Sequence, residues 1–252
     1  MQLILTTSVF AVIGGLVWGA CKVLRLRAPV PTFANPQRSA VHALIAVGIS
    51  MLIVILVLML RQYLRHEATP TSTPTLYRTD PIPRLVVLVL YTLPAAFFMR
   101  RNGETLSSAG ITLTNLWKAG LIGLGLAFLT LFFGRGGPAG TISKLHSGHL
   151  VALVYCGFVG FSEEFLFRGY FQTRLVARHG LWRGWALSSA IMAFAHFPHR
   201  MLIDGMTVAG ALAACADLLP VSLLNGYVMM RTGNIIAPGL FHTFANWVNQ
   251  VR

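Results

Sequence analysis

The sequence predicts an all-α fold: a polytopic transmembrane helical bundle of about eight helices, forming one integral membrane domain over residues 1–252. Three observations predict it. First, 55% of the residues are hydrophobic and only 11% are charged, with a mean hydropathy of +0.67, whereas soluble domains carry about 25% charged residues. Second, apolar runs approaching the roughly 20 residues needed to cross a bilayer follow one another with little between them. Third, the basic residues stand in small groups between those runs, where a multi-pass chain meets anionic lipid headgroups.

Taken in order, residues 2–21 carry no charge and read as a first span. Lys22, Arg25 and Arg27 follow it rather than precede it. That order favours a retained helix with its N-terminus outside the cytoplasm over a cleaved signal peptide. A Pro-rich connector, 28–36, leads to a second span at 39–60. Residues 61–84 read as an extramembrane Pro/Thr-rich loop, because Thr69-Pro70-Thr71-Ser72-Thr73-Pro74 and Pro81-Ile82-Pro83 cannot build a packed core. A third span is expected at 85–99, a polar connector at 100–118 and a fourth span at 119–133, which the Gly-rich turn 134–140 ends.

The second half is denser, with spans expected at 150–167, 185–197, 206–230 and 235–248. Several are short, so tilt or partial penetration is expected. Residues 150–250 hold the candidate catalytic helices. Basic residues summed over alternate loops favour an outside N-terminus only slightly, and no internal repeat suggests the duplicated halves of a transporter.

Composition also excludes. A net charge of +13 and a pI near 10.9 would suit nucleic-acid binding. The basic residues instead flank spans: Lys22, Arg25 and Arg27; Arg61 and Arg65; Arg100 and Arg101; Arg174, Arg178 and Arg183. No nucleic-acid partner is expected. Cys21, Cys156 and Cys215 are isolated in apolar contexts, with neither metal-ligand spacing nor a disulfide framework, and read as small buried hydrophobes.

Of the 7 acidic residues, two are adjacent in the apolar run Phe161-Ser162-Glu163-Glu164-Phe165-Leu166-Phe167-Arg168. A carboxylate removed from water must be paired, neutralised or used. On a helix Glu164 and Arg168 are i,i+4 neighbours in the favourable order, while Glu163 points about 100° away. One carboxylate can thus be tied to the arginine while the other faces a different environment. His196 precedes Phe197-Pro198, and the proline sets this imidazole near a helix end or kink. His242 and Asn246 share one face of the last helix, and both can donate to an oxyanion. Asp217 and Asn225 read as helix-packing or loop polar residues, and His146 and His149 as interface polarity. Glu with two His is also a catalytic zinc set, although no His-Glu-x-x-His motif is present.

The ordered set Glu-Glu-x-x-x-Arg, a histidine ending an apolar helix, then His-x-x-x-Asn in a final helix resembles the CPBP family of intramembrane proteases, which includes the CAAX prenyl endopeptidases and bacterial bacteriocin-processing or Abi relatives. The resemblance covers about residues 100–246, most specifically 161–246, and extends to the connector around Leu106 and Ala109-Gly110-Ile111. The second motif departs at Met192, which stands where the family pattern has phenylalanine. Methionine is a volume-tolerant replacement in an apolar wall.

The resemblance implies an intramembrane endopeptidase that hydrolyses a peptide bond of a membrane-associated protein or peptide. In it Glu163 is the base for a water that His196 helps to hold, Glu164 pairs with Arg168 and shapes the site, and His242 and Asn246 stabilise the oxyanion. No cofactor is implied; a zinc-dependent protease using the same residues is the alternative enzyme, and a non-enzymatic immunity or assembly factor the alternative class. The compact chain is expected in a bacterial inner membrane.

Overall fold

The computed structural model describes residues 2–28, 31–66, 81–133 and 137–251. Among them there is no strand, and eight helices have 13 residues or more. These are α1 (Gln2–Val23), α2 (Pro36–His66), α3 (Pro81–Arg101), α4 (Leu116–Phe133), α5 (Ser147–His179), α6 (Leu181–Phe194), α7 (Val208–Thr232) and α8 (Ile236–Val248). Stretches within α1, α2, α5 and α7 are long and apolar enough to cross a membrane, and α4 is a shorter apolar helix. The connector expected at 61–84 falls mostly outside the described residues, since α2 runs to His66, α3 begins at Pro81, and 67–80 lie between them.

The bundle is inside-out in composition relative to a soluble domain. Leu16, Leu52, Val89, Leu124 and Val154 are exposed, whereas Ala40, Ala43, Ala46, Ala95 and Ala119 are fully buried. Lipid tails are as apolar as leucine, so helices gain little by hiding leucine and more by close backbone approach through small residues. The three cysteines are buried and free.

Two close approaches position the later site. A Cβ on Gly160 of α5 would stand 2.9 Å from Thr243 Oγ1, and one on Gly239 of α8 would stand 2.6 Å from the Phe161 ring. Only glycine at these points lets α5 and α8 lie this close. Glu164, one turn beyond Gly160, is thereby brought beside His242, three residues beyond Gly239. His146 caps α5 by accepting from Gly148 N–H, and His149 Nδ1 accepts from His146 N–H. The Trp247 indole of α8 donates to His149 O at 2.7 Å. The pair expected to be interface polarity therefore fixes the start of α5 against the end of α8.

The span expected to end at residue 167 instead continues to His179, with Phe165–Gln172 wound as a π-helix. Such wide turns are rare and are found most often at functional sites. All of 166–172 is buried, so its polar side chains need partners within the protein, not headgroups. Arg174 is the clearest correction. Expected among the basic residues that flank spans, it is fully buried and donates to Glu104 Oε2 from Nη2 (2.7 Å) and Nε (3.2 Å). Further bonds run to Ser108 Oγ (2.8 Å) and Thr173 Oγ1 (2.9 Å), and its guanidinium lies against the Tyr170 ring. Glu104 Oε1 accepts from Ser39 and Asn102, so this one ion pair ties the end of α5 to α2 and to the connector after α3.

Candidate active site

The glutamate pair is divided by the helix it stands on. Glu164 and Arg168 are both 0% exposed, with Arg168 Nε 3.4 Å from Glu164 Oε2. Arg168 Nη2 donates to Ser222 O (3.0 Å) and Ser222 Oγ (3.1 Å) on α7. Ser222 Oγ in turn donates to Ser189 O on α6 at 2.7 Å. Glu164 Oε1 accepts from Asn225 Nδ2 at 3.0 Å and from His242 Nδ1 at 2.8 Å. One buried carboxylate thus draws together α5, α7 and α8, while its arginine reaches α7 and, through Ser222, α6.

Glu163 faces elsewhere. Its side chain is 21% exposed, and Oε2 lies 3.9 Å from His196 Nε2 and 3.8 Å from His242 Nε2. These separations are too long for direct hydrogen bonds and suit a bridging molecule between the groups. The tautomers follow from the partners. His196 Nδ1 lies 3.0 Å from Met192 O, a carbonyl that can only accept, so Nδ1 carries the proton. His242 Nδ1 donates to the Glu164 carboxylate. In the neutral imidazoles both Nε2 atoms then carry lone pairs, and both are turned toward Glu163. His196 stands in the break between α6, which ends at Phe194, and the short helix Phe197–Leu202, so it approaches from the end of its element.

Glu163, Glu164, Arg168, His196 and His242 therefore come together. Asn246, one turn beyond His242, is half-buried, and its side chain makes no hydrogen bond among the described residues. Asn225, read from the sequence as a packing residue, sits in the site as a donor to Glu164. Its only sequence signal was an amide within an apolar helix. Ser222 gave less: nothing local ties it to an arginine 54 positions earlier. Asp217 lies on α7 without a place in this cluster.

A cavity of about 920 Å³ opens beside α3, α5 and the start of α8 and reaches Ser162 and Phe165, but none of the five clustered side chains lines it. The cluster is reached instead where Glu163 and His196 are partly exposed, at 21% and 30%. Glu163, His196 and His242 are the residues that could hold a metal, although no such group of three His, Cys, Asp or Glu closes to metal-holding spacing among the described residues. The arrangement can hold a small polar molecule between one carboxylate and two imidazoles, beside a sealed ion pair that fixes one of them.

The model of a known family, described as type II CAAX prenyl endopeptidase Rce1-like, matches residues 145–248. The matched stretch runs from the start of α5 to the end of α8 and contains every clustered side chain. No curated protein matches the chain, and no solved structure matches it.

Proposed function

We propose, from the premise that residues 145–248 place this integral membrane protein in the CPBP family, that it is a glutamate-type intramembrane endopeptidase. Its substrate on this reading is a membrane-associated protein or peptide, and its place a bacterial inner membrane. The observation that carries the proposal is Glu163 Oε2, buried without a hydrogen bond among the described residues on a side chain that is 21% exposed, and facing two imidazole Nε2 atoms at 3.8 and 3.9 Å. A water between these groups can give one hydrogen to Glu163 and the other to an imidazole.

Charge decides which acceptor is the base. If Glu163 takes the proton, one negative charge moves from carboxylate to hydroxide and none is created. If a neutral histidine takes it, an imidazolium and a hydroxide appear together where no charge stood. Creating two charges in apolar surroundings costs much more than relocating one. Glu163 is therefore the base, and His196 holds the water.

The hydroxide adds to the scissile carbonyl carbon, and the carbonyl oxygen takes up the negative charge. Collapse breaks the C–N bond, and Glu163 returns its proton to the leaving amine. Arg168 and Asn225 hold Glu164, and Glu164 holds His242 by its Nδ1 proton. When protonated at both nitrogens, His242 can donate from Nε2 to the oxyanion. Asn246 has no competing bond among the described residues, which suits an amide reserved for the substrate.

A zinc-assisted hydrolysis is the second reading, supported by the tautomers: both Nε2 lone pairs face Glu163, and each imidazole is oriented by a partner at Nδ1, as metal-ligating histidines are. Zinc would supply Lewis acidity to the water or carbonyl. The test is cleavage of a membrane-tethered peptide by purified protein in liposomes. Glu163→Gln is expected to lower kcat by about 10²–10⁴ with the fold intact, and a chelator to change nothing. Full activity of the glutamine variant refutes Glu163 as base, and chelator loss restored by zinc establishes the metal reading.

A further inference from the structure

Behind the catalytic cluster, on the other face of α7, lies a second cavity that the proposed reaction does not use. It is a groove of about 570 Å³ between α1, α6 and α7, walled mainly by apolar side chains. Its size falls within the roughly 300–1,000 Å³ of ligand sites. Trp18 of α1 and Trp182 and Trp185 of α6 form its aromatic walls, and Gly14 and Gly15 leave its floor open. Trp185 has its one polar group satisfied, donating Nε1–H to Leu223 O at 2.9 Å, so it presents an apolar ring.

Cations gather at one end of the groove. The Lys22 ammonium lies 5.4 Å from the centre of the Trp18 ring. Arg231 stands one turn beyond the lining Tyr227, and its Nε is buried without a hydrogen bond among the described residues. Asn115 donates both to Arg27 O and to Thr232 O (3.1 and 3.2 Å), which places the ends of α1 and α7 on the same side. Lys22 and Arg231 form no salt bridge with a carboxylate among the described residues.

Tryptophan and cations without a carboxylate partner above an apolar slot are what a lipid meets at the membrane interface. A second transmembrane helix fits poorly: along α1 from Thr7 to Trp18, a helix about 10 Å across occupies on the order of 1,300 Å³, about twice the groove. We propose that the α1–α6–α7 groove binds one anionic phospholipid, with one of its two acyl chains along Gly14 and Gly15 and its phosphate at Lys22 and Arg231. The site has a direct line to the catalytic cluster. Ser222 and Asn225 hold Arg168 and Glu164 from one side of α7, and Leu223, Leu224 and Tyr227 line the groove.

The test is native mass spectrometry of the full chain in detergent micelles, exchanged against an equal mixture of phosphatidylglycerol and phosphatidylcholine. Wild type is expected to retain one phosphatidylglycerol preferentially, by about fivefold for each cation engaged. Lys22→Gln, at an exposed position, should reduce that preference while leaving the fold unchanged. Gly15→Leu, where an added Cβ meets nothing within 4 Å, should fill the slot and reduce retention of both lipids. Equal retention of the two lipids by wild type, unchanged retention in the leucine variant, or a second protein copy in place of the lipid would overturn the proposal. None of these readouts depends on proteolysis, so the site stands or falls apart from the proposed activity.

Discussion

Removing Arg168 tests whether the sealed half of the glutamate pair is held as described. Arg168 and Glu164 are 0% exposed, and the arginine makes two bonds to Ser222 besides facing the carboxylate at 3.4 Å. Breaking a buried pair by deleting one partner costs about 3–5 kcal/mol, because the other charge is left without compensation. Glu164 would keep two donors, His242 and Asn225, which puts Arg168→Met at the lower end, about 3 kcal/mol. Glu164→Gln alone strands the guanidinium in the same way. The double variant strands neither charge, so its loss should be smaller than the sum by about 2 kcal/mol, within the usual coupling range for contacting residues. Reversible unfolding in mixed SDS micelles, followed by helical circular dichroism, gives all three values. Additivity within about 0.5 kcal/mol would refute the pairing.

Two further outcomes separate what is buried from what is exposed and what is close from what is loose. Glu104→Gln should destabilise by about 1.5–3 kcal/mol, as expected for charged hydrogen bonds around a buried arginine, whereas Asp204→Asn, whose Arg200 partner is 30% exposed, should cost less than about 1 kcal/mol; the same unfolding assay compares them. Gly160→Val puts side-chain atoms where Thr243 Oγ1 would stand 2.9 Å from a Cβ; overpacking of about 1–3 kcal/mol and displacement of His242 should appear together, as lower stability and lower peptide cleavage.

The sequence exposes what faces lipid. Hydropathy placed the first span at 2–21 where α1 is Gln2–Val23, because residues of α1 such as Val12, Leu16 and Trp18 are exposed. The last, at 235–248 where α8 is Ile236–Val248, is legible from its apolar composition alone, since none of its residues is exposed. The end of α5 was hidden for the opposite reason. Arg168, Gln172 and Arg174 look like a return to water, yet each is buried by partners 54 to 70 positions away. Nothing local announces such a partner. The same rule governs the site: Glu164 with Arg168 is a spacing within one helix and can be read directly, while Asn225 and Ser222 arrive from α7 and depend on tertiary packing. Glycine gave a partial signal. Gly160 and Gly239 are legible as small residues, but not as the two points at which α5 and α8 touch.

The donor geometry along α8 constrains how a substrate could lie. His242 and Asn246 are four residues apart, about 6 Å along the helix axis. One oxyanion can be within hydrogen-bond reach of both only if it lies between them, roughly midway along that turn. The water held by Glu163 must approach the same carbonyl carbon from the His242 end, since Glu163 Oε2 is 3.8 Å from His242 Nε2. On the proposed mechanism the carbonyl therefore points along α8 toward Asn246, with the attacked carbon nearer Glu163. Asn246→Ala then removes a donor from the oxygen without touching the water, so kcat should fall by about 10²–10³ with KM little changed. An unchanged kcat in that variant would mean that Asn246 does not act on the oxyanion.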